Sequence, residues 1–172
     1  MADATACLRP AQGPKAPDRP RRLHGRSLRL IGARAQARDR DPAVLVAHHG
    51  ARMRDRLAVL LLRRGYHVTT CADGQQAHQL LLAGPYDLLL TGLVMPNMDG
   101  LELLRALWRF QNRPPVIALS DTDDRIGQIY MRSALLFGAV AVHAAPLDQE
   151  GLLASIDLEL EGPFQAPAPV LA

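Results

Sequence analysis

Two adjacent histidines, His48 and His49, follow directly on the apolar run Ala43–Ala47. Imidazoles bind transition metals and change charge near neutral pH, so the pair suits zinc, copper or nickel, or a response to acidity. Three more places carry related chemistry. Cys71 and Asp73 follow the run Tyr66–Thr70. Ser120 closes the run Val116–Ser120, with Asp121, Asp123 and Asp124 behind it. His143 lies within the run Ala139–Ala144. A metal reading takes Asp121, Asp73 and His143 as further ligands. Against it, neighbouring side chains at a strand end are expected to diverge, and neither H-x-H nor H-x3-H spacing is present. Ser120 has no base beside it, so it reads as a hydroxyl at a helix start and not as a nucleophile. Cys71 reads as a small buried residue.

The elements that position these groups alternate regularly. Ala43–Ala47 is a first buried strand. Met53, Leu57, Leu60, Leu61 and Arg64 recur at helical spacing until Gly65, which suits a left-handed cap. Tyr66–Thr70 is a second strand, and Asp73-Gly74 opens a helix that stops at Gly84-Pro85. Asp87–Thr91 is a third strand. A helix over Asp99–Phe110 follows, then a strand over Val116–Ser120. The next helix carries Ile126, Ile129, Tyr130, Ala134 and Leu135 and ends near Gly138. Ala139–Ala144 is the last strand. Pro146-Leu147-Asp148 starts a final helix with Leu152, Leu153, Ile156 and Leu160 on one face. Five strands alternating with five helices through short loops predict a doubly wound parallel sheet of flavodoxin-like (βα)5 type, strand order 2-1-3-4-5. In such a sheet every strand-to-helix turn lies on one edge, which gathers His48, His49, Asp73, Gly92, Ser120, Asp121 and Ala145 there.

The chain has 172 residues and is 48% hydrophobic but only 4% aromatic, so its core must be aliphatic. The net charge of +3 hides an asymmetry. Residues 1–42 carry 10 basic and 4 acidic side chains, or +6, whereas residues 43–172 carry 10 and 13, or −3. Residues 1–42 are also Pro- and Arg-rich and are expected to be a disordered basic arm. Residues 43–161 are expected to be the folded domain and 162–172 a Pro-rich tail. No apolar run approaches the ~20 residues of a membrane span, and no signal-peptide core opens the chain. The two cysteines form no framework. A cytoplasmic location is expected.

Four stretches resemble one family. They are L-V-M-P-N-M-D-G-L, R-R-G-Y-H-V-T-T-C-A-D-G-Q-Q-A, P-P-V-I-A-L-S and F-G-A-V-A-V-H-A-A-P-L-D. Together they are similar to the receiver domain of two-component response regulators, over roughly residues 43–160. The resemblance implies a phosphoryl-accepting pocket with Mg²⁺. By position its acidic pair falls on His48 and His49, its phosphoacceptor aspartate on Gly92, its hydroxyl on Ser120 and its lysine on Ala145. The aromatic switch position falls on Val142. Mg²⁺ wants oxygen ligands and phosphoryl transfer wants a nucleophile and cations, so both functions are expected to be lost. Asp87, at the start of the third strand, is at the wrong end of the sheet to replace Gly92.

The expected function is therefore a degenerate receiver, not an enzyme, with no cofactor, acting by protein docking in a phosphorelay. The family resemblance implies a docking face of Tyr130, Met131, Val142, His143 and Leu147. Its expected partners are a histidine kinase, a phosphotransfer protein or a chemotaxis-type protein. Two rivals are a basic arm on an inert scaffold, binding nucleic acid or anionic membrane, and a His-based metal site.

Overall fold

The computed structural model describes residues 41–161. Most of the expected arm and the whole expected tail lie outside the described residues. The elements run β1 (Ala43–Ala47), α1 (Ala51–Leu62), β2 (His67–Cys71), α2 (Gly74–Ala83), β3 (Leu88–Gly92), α3 (Gly100–Leu107), β4 (Val116–Ser120), α4 (Arg125–Leu136), β5 (Ala141–Ala144) and α5 (Gln149–Glu161). The strands form one parallel sheet in the order β2-β1-β3-β4-β5, as the alternation predicts.

Alternation along each strand divides the core into two layers. Leu45, Ala47, Leu89 and Ala118 point toward α2, α3 and α4, and meet Ala77, Leu81, Leu103, Leu104, Leu107 and Ala134. Val44, Val46, Leu88, Leu90, Ile117 and Leu119 point the other way. They are covered by Leu57 and Leu61 of α1 and by Leu152 and Ile156 of α5. Each fully buried Leu or Ile contributes about 1.5–3 kcal/mol through the surface it removes from water. This aliphatic core explains how the chain folds with so few aromatics.

Helix ends follow the side-chain chemistry. Asp73 caps α2 by accepting the Gln76 N–H at 2.8 Å. Asp99 caps α3 reciprocally: the Glu102 N–H reaches Asp99 Oδ1 at 2.8 Å, and the Asp99 N–H reaches Glu102 Oε2 at 3.1 Å. Asp99→Ala is expected to lower stability by about 1 kcal/mol, read as a fall in the urea midpoint. Gly65 does leave α1 with a φ of 83°.

Other expectations need correction. Ser120 does not cap α4. Asp124 does, accepting the Gly127 N–H at 2.8 Å, because three residues of loop intervene. The apolar residues of α4 do not form one inward stripe. Ala134 and Gly127 are buried, whereas Ile126, Ile129 and Leu135 are exposed, since α4 lies over a short edge strand that offers little to cover. Strand β5 is also shorter than expected, beginning at Ala141, because Ala139 and Val140 still belong to the turn out of α4.

Candidate functional site

The strand-to-helix edge brings together His48, His49, Gly92, Ser120 and Asp121, and the Ala145 N–H donates to the Ser120 carbonyl at 2.9 Å. The centre of the cluster is His48. Strand β1 delivers it with its ring almost wholly enclosed, 2% exposed. Both ring nitrogens are engaged. Nδ1 accepts the Gly50 N–H at 3.0 Å, so the neutral ring carries its proton on Nε2, which faces Asp121 Oδ1 at 3.2 Å. Gly50 is the N-cap of α1 and has no side chain to cap with. The His48 bond thus ties the start of that helix to the end of β1.

Gly92 faces the same ring. A Cβ built on Gly92 would stand 3.1 Å from His48 Cδ2 and 3.4 Å from Met95 Cγ. The volume that a side chain at 92 would need is therefore occupied by imidazole. Gly92 has no side chain to lose, and the buried turn closes over it through Leu93, whose N–H reaches the Leu119 carbonyl at 2.8 Å.

His49 does not diverge from His48 as strand geometry alone suggested. The two rings stack at 4.9 Å between centroids, 18° apart, and His49 Nδ1 lies 3.6 Å from Asp121 Oδ2. One carboxylate thus serves two imidazoles, and this draws the rings together. Stacking also weakens the metal reading. Imidazole lone pairs lie in the ring plane, and two nearly parallel faces do not aim them at one point. Asp121 joins the cluster as a candidate ligand, but Asp73 and His143 do not. Asp73 accepts from Gln76 and, at 3.0 Å, from Asn97 Nδ2, which locks the loop after β3 to the start of α2. His143 Nε2 pairs with Ser155 Oγ at 3.0 Å, on the α5 side of the edge strand.

A residue that sequence reasoning missed completes the site. Arg54 Nη1 donates to the carbonyl oxygens of His48 at 2.6 Å and His49 at 2.9 Å. The only signal in the sequence is its place one turn into α1, five residues beyond His49. Ser120 is present but turned away: its hydroxyl donates to the Thr122 carbonyl at 2.6 Å. The set does not fit Mg²⁺. That ion needs near-octahedral oxygen ligation, and here the cluster offers a single carboxylate, Asp121, already held by both histidines.

The expected docking residues fall on both sides of β5. Tyr130, Met131 and Val142 pack toward the α2–α4 layer, and Leu147 toward the α1–α5 layer. All are partly exposed along the sheet edge. Trp108 is half-exposed and donates its Nε1–H to the Phe137 carbonyl at the end of α4, at 2.9 Å. Cys71 is buried and its thiol is pushed up to about 11 by burial, so it stays protonated and unreactive at neutral pH.

Burial holds His48 below its ordinary value; Asp121 opposes this, and His49 and Arg54 reinforce it. His143 is also lowered, again by burial. In the unfolded chain both protonate near 6.5. Between that value and their lower folded values the unfolded state binds more protons. Stability is therefore full above pH 6.5 and falls as the solution is acidified through this window. His48 alone gives a slope of at most about 1.4 kcal/mol per pH unit, with less from the more exposed His143. Urea titrations at stepped pH measure it, and His48→Phe is expected to flatten the curve.

A family model for the response regulator receiver domain matches residues 44–157. The transcriptional activator protein PfeR of Pseudomonas aeruginosa is 39% identical over 90 residues, which are 50% of this chain and 29% of that protein. The response regulator receiver protein CpdR of Brucella abortus is 45% identical over 62 residues, 36% of this chain and 52% of that one. The chain thus spans about half or less of the length of these curated relatives. The receiver domain of the Francisella response regulator 1452 superposes with a TM-score of 0.63 at 26% identity, covering 70% of this chain and 98% of that one. The fold, the strand-end pocket and these matches agree, and the chain belongs to the response regulator receiver domain family.

Proposed function

We propose that this receiver is not phosphorylated and acts in two-component signalling by docking alone. One observation carries the reading: the His48 imidazole fills the space above Gly92, held by Gly50 on one side and Asp121 on the other. Neither a nucleophile nor a phosphoryl group has room there without moving that ring. Mg²⁺ binding is absent on this reading, because the two histidines stand where oxygen ligands are needed. The module catalyses nothing. Its output is recognition by a kinase, a phosphotransfer protein or a chemotaxis-type protein along α4, β5 and α5. Exposed Ile126, Ile129 and Leu136 on α4, beside Arg125 and Arg132, support an apolar and basic contact surface.

Incubation with acetyl phosphate and Mg²⁺, read by intact mass, tests the first half. No phosphate-sized adduct is expected on the folded protein, and an adduct overturns the reading. Ile129→Glu tests the second half in a binding assay against such signalling proteins. Loss of binding by this variant, with an unchanged fold, is expected.

A further inference from the structure

The buried imidazole has a property that packing does not require. Its two nitrogens connect two different loops, and only one charge state satisfies both connections. With the ring neutral, Nδ1 accepts from the Gly50 N–H at 3.0 Å and Nε2–H faces Asp121 at 3.2 Å. A second proton can be added only at Nδ1. There it meets the Gly50 N–H, donor against donor, at hydrogen-bond distance. The same proton turns the Asp121 contact into a charge-assisted pair, roughly twice as strong as a neutral bond.

We propose that His48 is a proton-operated switch: one proton at Nδ1 breaks the bond from Gly50 and frees the start of α1, while tightening the hold on Asp121 and the loop into α4. The consequence for α1 follows from its cap. Gly50 lacks a side-chain cap, so the His48 ring is what orients its amide. Arg54, one turn inside α1, is bonded to the His48 and His49 carbonyls and transmits any rotation of that turn into the helix. Toward α4, Asp121 is followed by Thr122, whose carbonyl accepts from Ser120 Oγ and also lies against Gly127 of the helix. Movement of Asp121 therefore reaches the N-terminus of α4.

The groups facing His48 set the direction. Asp121, from the loop after β4, attracts the proton. His49 beside it and Arg54 from α1 repel it. From β2, Cys71 offers a neutral thiol, and its carbonyl accepts the His48 backbone N–H at 3.1 Å. Asp73 beyond it is engaged with Gln76 and Asn97. From β3, Gly92 adds no charge. The balance holds the ring below its ordinary value and so neutral at physiological pH, and the second proton arrives only on acidification.

The inference rests on the reading that this pocket takes no phosphoryl group. The mass assay tests that reading and the following experiment tests this one, so each can fail alone. The full chain is titrated by NMR from about pH 8 to about pH 5, following the imidazole nitrogens and the backbone amides. Expected are an Nε2–H tautomer at the basic end and a Gly50 amide shift sharing the His48 midpoint, below 6.5. Asp121→Asn is expected to move that midpoint lower still, because it removes the attraction for the proton. An Nδ1–H tautomer, a Gly50 amide that ignores His48, or a ring neutral down to acid unfolding would each overturn the switch.

Discussion

Placing an aspartate at position 92 alone is expected to destabilise the protein and to leave it inert toward acetyl phosphate. The new Cβ would stand 3.1 Å from the His48 ring, tighter than most real Cβ contacts, so the ring would have to give by a few tenths of an ångström. His48 cannot easily give way, because Gly50 and Asp121 hold its two nitrogens. Overpacking of this kind costs about 1–3 kcal/mol. The cost appears as a lower urea midpoint with an unchanged slope. Replacing His48 by Asp in the same chain is expected to recover most of that loss, since it removes the ring that blocks position 92. The coupling is measured by the double-mutant cycle, and strict additivity would contradict the packing argument. Phosphoryl acceptance is expected only when His48→Asp, His49→Asp and Ala145→Lys accompany Gly92→Asp. That combination restores oxygen ligands, a nucleophile and a cation together.

A still larger effect is expected from Gly100→Ala. The Gly100 N–H donates to the Leu93 carbonyl at 2.9 Å, and its Cα lies against the Gly92 carbonyl oxygen. An added Cβ would run into that oxygen and stand 3.0 Å from Leu93 Cα. Backbone on both sides leaves nothing flexible to yield. The start of α3 would have to lift from the end of β3, and the Asp99–Glu102 cap with it. A loss of about 3 kcal/mol or more is expected, a large part of the 5–15 kcal/mol that holds a typical domain. Gly84→Ala supplies the comparison. Nothing lies within 4 Å of a Cβ there, and stability is expected to change by only a few tenths of a kcal/mol. Urea denaturation of the two variants side by side separates crowding from the general effect of removing a glycine.

Position 92 also shows what was legible in the sequence. The strand order, the gathering of loops on one edge and the receiver-family resemblance could be read from alternating apolar runs and from L-V-M-P-N-M-D-G-L. Those features depend on period and on residue type alone. The seating of His48 could not be read that way. It depends on which nitrogen meets Gly50, on a carboxylate from the next strand but one, and on the volume freed at Gly92. These are facts of three segments at once. Arg54 escaped for the same reason: a helical arginine looks like any solvated charge until its carbonyl partners at a strand end are known. The outward turn of Ile126 and Ile129 was hidden as well. Helical spacing gives a face but not its direction, and the narrow edge strand decided it.

The division of the core between α1 and α5 has a consequence for how the chain emerges during synthesis. Leu152 and Ile156 of α5 complete the layer over Leu88, Leu90, Ile117 and Leu119. They are also among the last residues of the fold to be made. Until they appear, one face of the central strands stays open, whereas the α2–α4 layer can already close. Without α5 that aliphatic face has no cover, and exposed leucines of this kind are what chaperones hold. When α5 docks, Asp157 meets Arg64 Nη1 at 2.9 Å and the Tyr66 hydroxyl at 3.2 Å, fastening the last helix to the beginning of β2.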